Sequence, residues 1–173
     1  YAYSSSPYGE GPWITSQIAT GIGTTTPHPS LIIANGRPAV FYTDATLSVV
    51  RFAINNNTLG DAAWVLSSVT GIIGFECSGS MIAGNPACSF RSAAGISFAR
   101  NAAVDGSGAW TITVVDAADT GTTNGTSLVT ANMNPAIAYW NSVSQDLSFA
   151  RAPTTTGTGV WTITAVDTVG DVG

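Results

Sequence analysis

The sequence predicts an all-β protein of tandem four-stranded antiparallel blades, a β-propeller-like architecture. Two observations carry this reading. An aromatic–Ala pair stands twelve positions before a Trp four times: Tyr1-Ala2 before Trp13, Phe52-Ala53 before Trp64, Phe98-Ala99 before Trp110, and Phe149-Ala150 before Trp161. Chance does not hold that distance while the units themselves vary from 46 residues (Phe52 to Phe98) to 51 (Phe98 to Phe149). The second observation is that no stretch keeps the helical period of apolar residues, whereas short apolar runs alternate with Gly, Asn and Thr turns. Fixed-period self-similarity of this length marks repeat architectures.

Each unit reads as four strands. The first is 30–34, 80–83 or 127–131, entered by Ser30-Leu31, Ser80-Met81 or Ser127-Leu128 and closed by a turn such as Asn35-Gly36, a hairpin signal between apolar runs. The second follows Pro-Ala (Pro38-Ala39, Pro86-Ala87, Pro135-Ala136) and is a continuous apolar run at Ala39–Tyr42 and Ala136–Trp140, the pattern of a strand buried on both faces. Asp44 and Asn141 then offer short polar side chains to close a turn. The third strand carries the aromatic–Ala pair, and the fourth opens at the Trp and alternates: Trp110, Ile112 and Val114 one way, Thr111 and Thr113 the other. Phe52, Trp64, Phe98, Trp110, Phe149 and Trp161 are therefore the expected repeat core. The units fall at 1–17 (third and fourth strands only), 30–67, 80–116 and 127–167, about three and a half blades where closed propellers typically have four to eight. The expectation is one repeat domain completed by adjoining repeats or by other copies of the chain.

Composition narrows the function classes. The chain has no Lys, 9% charged residues and a formal charge of −5, so it offers no basic stripe for nucleic acid. No apolar run reaches the roughly 18 residues that span a bilayer. His28 is the only histidine, and Cys77 and Cys88 are the only cysteines, which leaves no zinc pattern; no metal and no cofactor are expected. Cys88 aligns with the core positions Val40 and Ile137, and Cys77 with the loop that enters the first strand. A disulfide within or between chains stays open for the pair.

The run Asn-Pro-Ala-Ile-Ala-Tyr-Trp (134–140), followed by Leu147-Ser-Phe-Ala-Arg151 and Gly159-Val-Trp161, resembles the blade repeats of sialidase-like, or Asp-box (BNR), β-propellers. Those repeats carry a Ser-x-Asp-x-Gly-x-Thr-Trp turn between the third and fourth strands. Asp105 keeps the corresponding distance to Trp110, while Gly106 and Gly108 are out of register and the other units lack the Asp. The resemblance implies a propeller; sialidase-type catalysis would further require clustered arginines, a Tyr nucleophile supported by a Glu, and an acidic acid/base.

Those groups are not assembled by the repeat. Arg100 and Arg151 recur at one blade position, and Arg37 and Arg91 occupy others. Glu10 and Glu76 are the only glutamates. Asp105, Asp116, Asp119 and Asp146 could pair as glycosidase carboxylates, but each lies where turns favour Asp. His28 lies in a Thr-Pro-His-Pro loop without a partner histidine, no serine nucleophile elbow occurs, and the segment 167–171 is too sparse for a calcium loop. The reading is a non-enzyme: a secreted or cell-surface structural protein assembling into a ring, array or fibre. The alternatives are a lectin-like propeller that binds glycans through rim loops, with Tyr3, Tyr8 and Trp140 outside the repeat, and a degenerate sialidase-like glycosidase. Trp13, Trp64, Trp110 and Trp161 read as packing between blades before sugar platforms. Asn56 and Asn124 begin glycosylation tripeptides, and Thr24, Thr25, Thr26, Thr154, Thr155 and Thr156 form loop clusters compatible with O-linked sugar.

Overall fold

A chain written as short apolar runs punctuated by hairpin signals has to satisfy its backbone in ladders between neighbouring strands. The computed structural model, described here for residues 1–23, 28–70, 74–121 and 125–170, contains strands and turns and no helix among them. An N-terminal ribbon pairs β1 (Ala2–Ser4) with β2 (Trp13–Thr15). Three four-stranded antiparallel meanders follow. The first blade is β3 (Ser30–Ala34), β4 (Arg37–Asp44), β5 (Val49–Asn55) and β6 (Trp64–Ser68). The second is β7 (Gly74–Ile82), β8 (Asn85–Ser92), β9 (Gly95–Asn101) and β10 (Trp110–Asp116). The third is β11 (Thr126–Ala131), β12 (Asn134–Asn141), β13 (Asp146–Arg151) and β14 (Thr162–Asp167). Strand order in each sheet is the chain order.

The hairpin between the first two strands uses the same turn three times. Asn35-Gly36, Ala83-Gly84 and Asn132-Met133 all have positive φ at both residues, the type I′ geometry that matches strand twist. Only the first pair is a standard sequence signal. Ala83 and Met133 adopt a conformation their side chains disfavour.

Alternation along the strands sends each blade's two faces to two different neighbours. In the first blade Val40, Tyr42 and Ala53 pack toward Ile18, Ala19 and Ile22 that follow the ribbon. Ala39, Phe41, Val50, Phe52 and Ile54 pack toward Cys77, Cys88 and Phe90 of the second blade. Ile96 and Phe98 in turn meet Ile137, Tyr139 and Trp161 of the third. The second strands are buried along nearly their whole length in the first two blades; the apolar run Ala39–Tyr42 fits this, whereas β8 buries Ser89, Arg91 and Ser92 as well. β14 is exposed throughout.

One contact recurs at every blade junction. The third-strand aromatic lies against a glycine and the Trp of the next sheet: Tyr1 on Gly60 and Trp64, Phe52 on Gly106 and Trp110, Phe98 on Gly157 and Trp161. Ring centroids are 5.4, 5.5 and 5.3 Å apart, within the range of favourable aromatic pairs. A Cβ on any of these glycines would run into the ring, and each glycine has φ near +80° (85°, 77° and 84°). Close approach and backbone conformation both demand glycine there. The three rings share one strand register, yet Phe52 and Phe98 are buried while Phe149 is half-buried.

Innermost strands are joined by a second repeated contact. The Ser30 hydroxyl accepts a hydrogen bond from the Gly79 amide (2.8 Å), and the Ser78 hydroxyl accepts one from the Leu128 amide (3.0 Å). Pairing registers make Ser30, Ser78 and Ser127 equivalent, opposite Phe41, Ser89 and Ala138. Ser80-Met81 therefore lies two residues beyond the position equivalent to Ser30-Leu31 and Ser127-Leu128. The strand expected from residue 80 begins at Gly74, and an irregularity between Phe75 and Ser78 absorbs the extra length. Its sequence pattern was broken by residues that the bulge takes out of register.

The junction predicts a stability difference between equivalent residues. Phe98→Ala is expected to cost about 3–5 kcal/mol, the range for a buried phenylalanine. Phe149→Ala, at the same register without a receiving glycine, should cost about 1–2 kcal/mol for its half-buried ring. Urea unfolding of the two variants followed by tryptophan fluorescence measures the difference.

Candidate functional site

A repeat protein meets its structural needs with residues that recur, so side chains that break the repeat are the ones to explain. At the start of the second strand the units carry Asn85-Pro86 and Asn134-Pro135. There Asn85 and Asn134 donate to the carbonyls of Asn101 (2.8 Å) and Ala152 (2.9 Å). The first blade has Arg37 in that place. At five residues before the Trp, the units carry Tyr8, Leu59 and Thr156, whereas the second blade has Asp105. These two departures face each other: Arg37 Nη2 lies 3.5 Å from Asp105 Oδ2.

They stand at the mouth of a groove between the first and second blades, with a volume of about 520 Å³. Phe52, Gly106 and Trp110 line it on the aromatic side, Val65, Ser67 and Ser68 of β6 on another. Two polar atoms at this groove are buried without a hydrogen-bond partner, Trp110 Nε1 and Ser67 Oγ. The equivalent indole of Trp161 donates to the Gly157 carbonyl (3.1 Å), and that of Trp64 donates to the Ser16 hydroxyl (2.8 Å). A buried donor left unpaired costs about 1–3 kcal/mol, so Trp110 is the member of the repeat that has a hydrogen bond to give.

The electrostatics are set by a short local turn. Ser107 donates to Asp105 Oδ1 through its hydroxyl (2.6 Å) and its amide (3.1 Å). Those bonds, with Arg37 nearby, hold the Asp105 carboxyl below the usual carboxylate range. Asp105 is therefore an anion at neutral pH, suited to accept hydrogen bonds and not to deliver a proton. The corresponding groove between the second and third blades measures about 250 Å³ and is lined by Phe98, Arg100, Thr111, Thr113, Thr156 and Thr158. It lacks the acid, and its size falls below the roughly 300–1,000 Å³ of ligand pockets.

Other sequence candidates are placed elsewhere. Arg100 and Arg151 have matching jobs, donating to the carbonyls of Ile82 and Ala83 and of Ala131 and Asn132, which cap the first hairpin of their blades. Arg91 and Asp119 form a fully buried ion pair (2.8 Å). Asp116 accepts from Tyr139 Oη (2.7 Å), and with burial this raises the phenol's pKa above its ordinary value. These groups tie the second blade to the third. His28 Nε2 lies 3.9 Å from Glu76. Tyr8 is 85% exposed, Tyr3 stacks on Tyr1, and the Trp140 carbonyl accepts from Arg91. Among the described residues no three His, Cys, Asp or Glu side chains converge on a metal-sized space, and no helix is long and apolar enough to cross a membrane. Asn56 and Thr155 are exposed, whereas the Thr154 hydroxyl is used in its own turn, donating to the Thr158 carbonyl (2.9 Å). Thr24, Thr25, Thr26 and Asn124 lie outside the described residues.

Cys77 and Cys88 are separate thiols within the first inter-blade core. Cys77 belongs to β7 and not to an entry loop. Burial pushes the Cys77 thiol up to about 12 and Cys88 well above its ordinary value. Both side chains are enclosed by the packing of the first two blades. Since the thiolate is the reactive form, iodoacetamide at pH 8 should leave both unlabelled in the native protein and label both in about 8 M urea, where the chain is unfolded; intact-mass measurement reads the count.

No family profile and no curated protein sequence matches the chain. Solved structures do resemble it. An α-L-arabinofuranosidase from Lactobacillus brevis superposes with a TM-score of 0.56 at 8% identity, over 84% of this chain and 55% of its own. A family 117 glycoside hydrolase from the marine bacterium Zobellia galactanivorans gives 0.56 at 12%, over 91% and 53%. An exo-β-1,3-galactanase from Phanerochaete chrysosporium gives 0.53 at 12%, over 78% and 34%. The chain thus spans about half or less of the length of these neighbours. At such identities the likeness shows the fold, which is β-propeller-like.

It also corrects two expectations. The neighbours are glycoside hydrolases and not sialidase-type Asp-box proteins; what recurs between the third and fourth strands here is the glycine that receives the preceding ring, not the aspartate. The expectation of a non-catalytic structural protein, and with it of a non-enzyme, is overturned by the same neighbours, all of them carbohydrate-active. The repeated positions are occupied by blade packing; the informative side chains are the ones that depart from the repeat.

Proposed function

We propose that this chain is carbohydrate-active and that the groove between the first and second blades holds a sugar unit of a neutral glycan. The observation that carries the proposal is the Arg37–Asp105 pair, two repeat-breaking charges set across a groove whose wall contains an unpaired indole donor. Sugar rings present hydroxyls that both donate and accept, beside an apolar C–H face. The Asp105 carboxylate accepts from a hydroxyl, and the Arg37 guanidinium donates to another. Trp110, backed by the buried Phe52 ring, offers aromatic surface, and the Ser67 hydroxyl is without a partner. The net charge of −5 disfavours an anionic sugar. Secretion to where such glycans are met is part of the same proposal.

Glycoside cleavage is the second reading, favoured by the hydrolase neighbours. It needs two carboxyl groups roughly 5–9.5 Å apart, and Asp105, held ionised, fits the nucleophile or base and not the acid. Asp105 is the only acid that lines the groove among the described residues, so the acid would come from elsewhere in the assembled ring.

Calorimetric titration with neutral arabinose- and galactose-containing oligosaccharides tests binding. The wild-type chain is expected to bind, and Arg37→Ala to weaken binding by tenfold or more, in line with about 1.5–3 kcal/mol for a charged hydrogen bond. Asn85→Ala, at the same blade position in the second blade, should leave affinity unchanged. Binding should stay flat as pH falls through the ordinary carboxylate range near 4, because Asp105 protonates only below it. No heat with any of these oligosaccharides removes the proposal. Release of nitrophenol from aryl glycosides, abolished by Asp105→Asn, checks the cleavage reading separately.

A further inference from the structure

The two grooves that open between blades are built from the same strand positions and differ place by place. In the first, the third strand and the residue after it contribute Phe52, Ile54 and Asn56; in the second, the same places are Phe98, Arg100 and Ala102. Residues two apart along a strand face one way, so each triplet forms a floor running along its blade. The middle place decides how much of that floor is open. Arg100 lies along its groove and donates to the carbonyls of Ile82 (2.9 Å) and Ala83 (3.0 Å), and Arg151 does the same in the third blade. Ile54 stops short of such a span and is 6% exposed. Where the second groove is filled by a guanidinium and its stem, the first is an open trough, and both of its walls are complete four-stranded blades.

The trough has a polar end, an apolar middle and a hydroxylated far end. β4 and β5 pair Ala39 with Ile54, so Arg37 and Asn56, two residues further along that ladder, stand side by side near Asp105. The Asn56 carboxamide is exposed, while its backbone amide is tied to the Ala63 carbonyl (3.0 Å). The loops that carry this end are wound on two fully buried asparagines at one repeat place. Asn101 donates to the carbonyls of Gly106 (3.1 Å) and Gly108 (2.8 Å) and accepts from the amide of Ala103 (2.9 Å); Asn55 donates to the Ala62 carbonyl (2.8 Å). The third blade has Ala152 there, so the loop does not need asparagine to form. Ile54 and the half-exposed Val65 make the middle, and Ser67 and Ser68 lie beyond it. The four residues from Asn56 to Phe52 span about 13 Å, longer than one sugar ring. We infer that the trough takes two linked units of a neutral glycan, the first among Arg37, Asn56 and Asp105 and the second over Ile54 and Val65 toward Ser67, and that Ile54 is the specificity-determining residue for this length. The inference rests on the reading of the same groove as a sugar site.

The test is NMR titration followed at the Trp110 indole N–H, assigned by its loss in Trp110→Phe, with galactose, β-1,3-galactobiose and β-1,3-galactotriose, and with arabinose and arabinobiose. In the wild-type chain a disaccharide is expected to bind about tenfold tighter than its monosaccharide, and the third galactose to add no more than about twofold. Ile54→Arg installs the residue that the second and third blades already carry at this place. It should bring disaccharide affinity down to that of the monosaccharide and leave monosaccharide affinity unchanged, a selectivity that a general loss of structure does not produce. Ile54→Ala keeps the trough open and should keep the preference. Circular dichroism checks that both variants are folded, and the wild-type length series stands without either. Equal affinity for one and two units in the wild-type chain overturns the inference while leaving the sugar site intact, as does a disaccharide preference that survives Ile54→Arg. An indole signal unmoved by all five sugars removes the site and the inference together.

Discussion

The seating of a third-strand ring on the next sheet's glycine is the contact on which the rest of this architecture depends. A sheet has two faces, and in a radial stack each must be buried by a different neighbour. The ring fixes how far and at what angle the next sheet stands. It can come close only because Gly60, Gly106 and Gly157 have no side chain, and they can turn the chain there only because positive φ is open to glycine. The Trp four residues on closes the side of the ring. The serine-to-amide bonds between innermost strands then hold the other end of the same junction. With both ends fixed, the second strands between them are buried on both faces, and the polar groups they carry there, such as Arg91, are paired.

Much of this was legible in the chain. The twelve-residue spacing between ring and Trp is the length of the third strand, its loop and the start of the fourth, so it had to persist if the junction did. The glycine four before each Trp (Gly9, Gly60, Gly106, Gly157) was equally visible, but its meaning was not, because the residue it serves belongs to a different unit. Sequence periodicity reports contacts within a unit directly and contacts between units only through their consequences. The second blade's first strand failed for another reason. A bulge near Cys77 shifted Ser78 against the pattern, and Ser80 offered a plausible substitute two residues away.

Function was less legible because the residues that line the groove come from different units and share no spacing. Arg100 and Arg151 recur, and they cap hairpins; Asp116 and Asp119 look available, and they are spent on Tyr139 and Arg91. Removing one member of such a buried pair leaves an uncompensated charge, so these groups are poor places to look for chemistry. In the sequence Arg37 is an unmatched arginine and Asp105 a degenerate box residue. Neither reading could place them together, since 68 residues and a blade junction separate them.

The two kinds of position pull against each other in a way that explains the groove. Wherever the junction is built to its repeating pattern, as between the second and third blades, the space left outside the ring is narrow and its indole is satisfied. Between the first and second blades the pattern is relaxed: Asn gives way to Arg37, Thr to Asp105, and the Trp110 indole has lost its carbonyl partner. The groove there is about twice as large, 520 against 250 Å³. An unpaired buried donor reduces stability, and a partly exposed charge pair returns little. The second and third blades keep asparagine at the Arg37 place, and no other unit carries a charge at the Asp105 place. That the departures from the repeat coincide at one junction, with complementary charges, is what separates a site from a blemish in the packing.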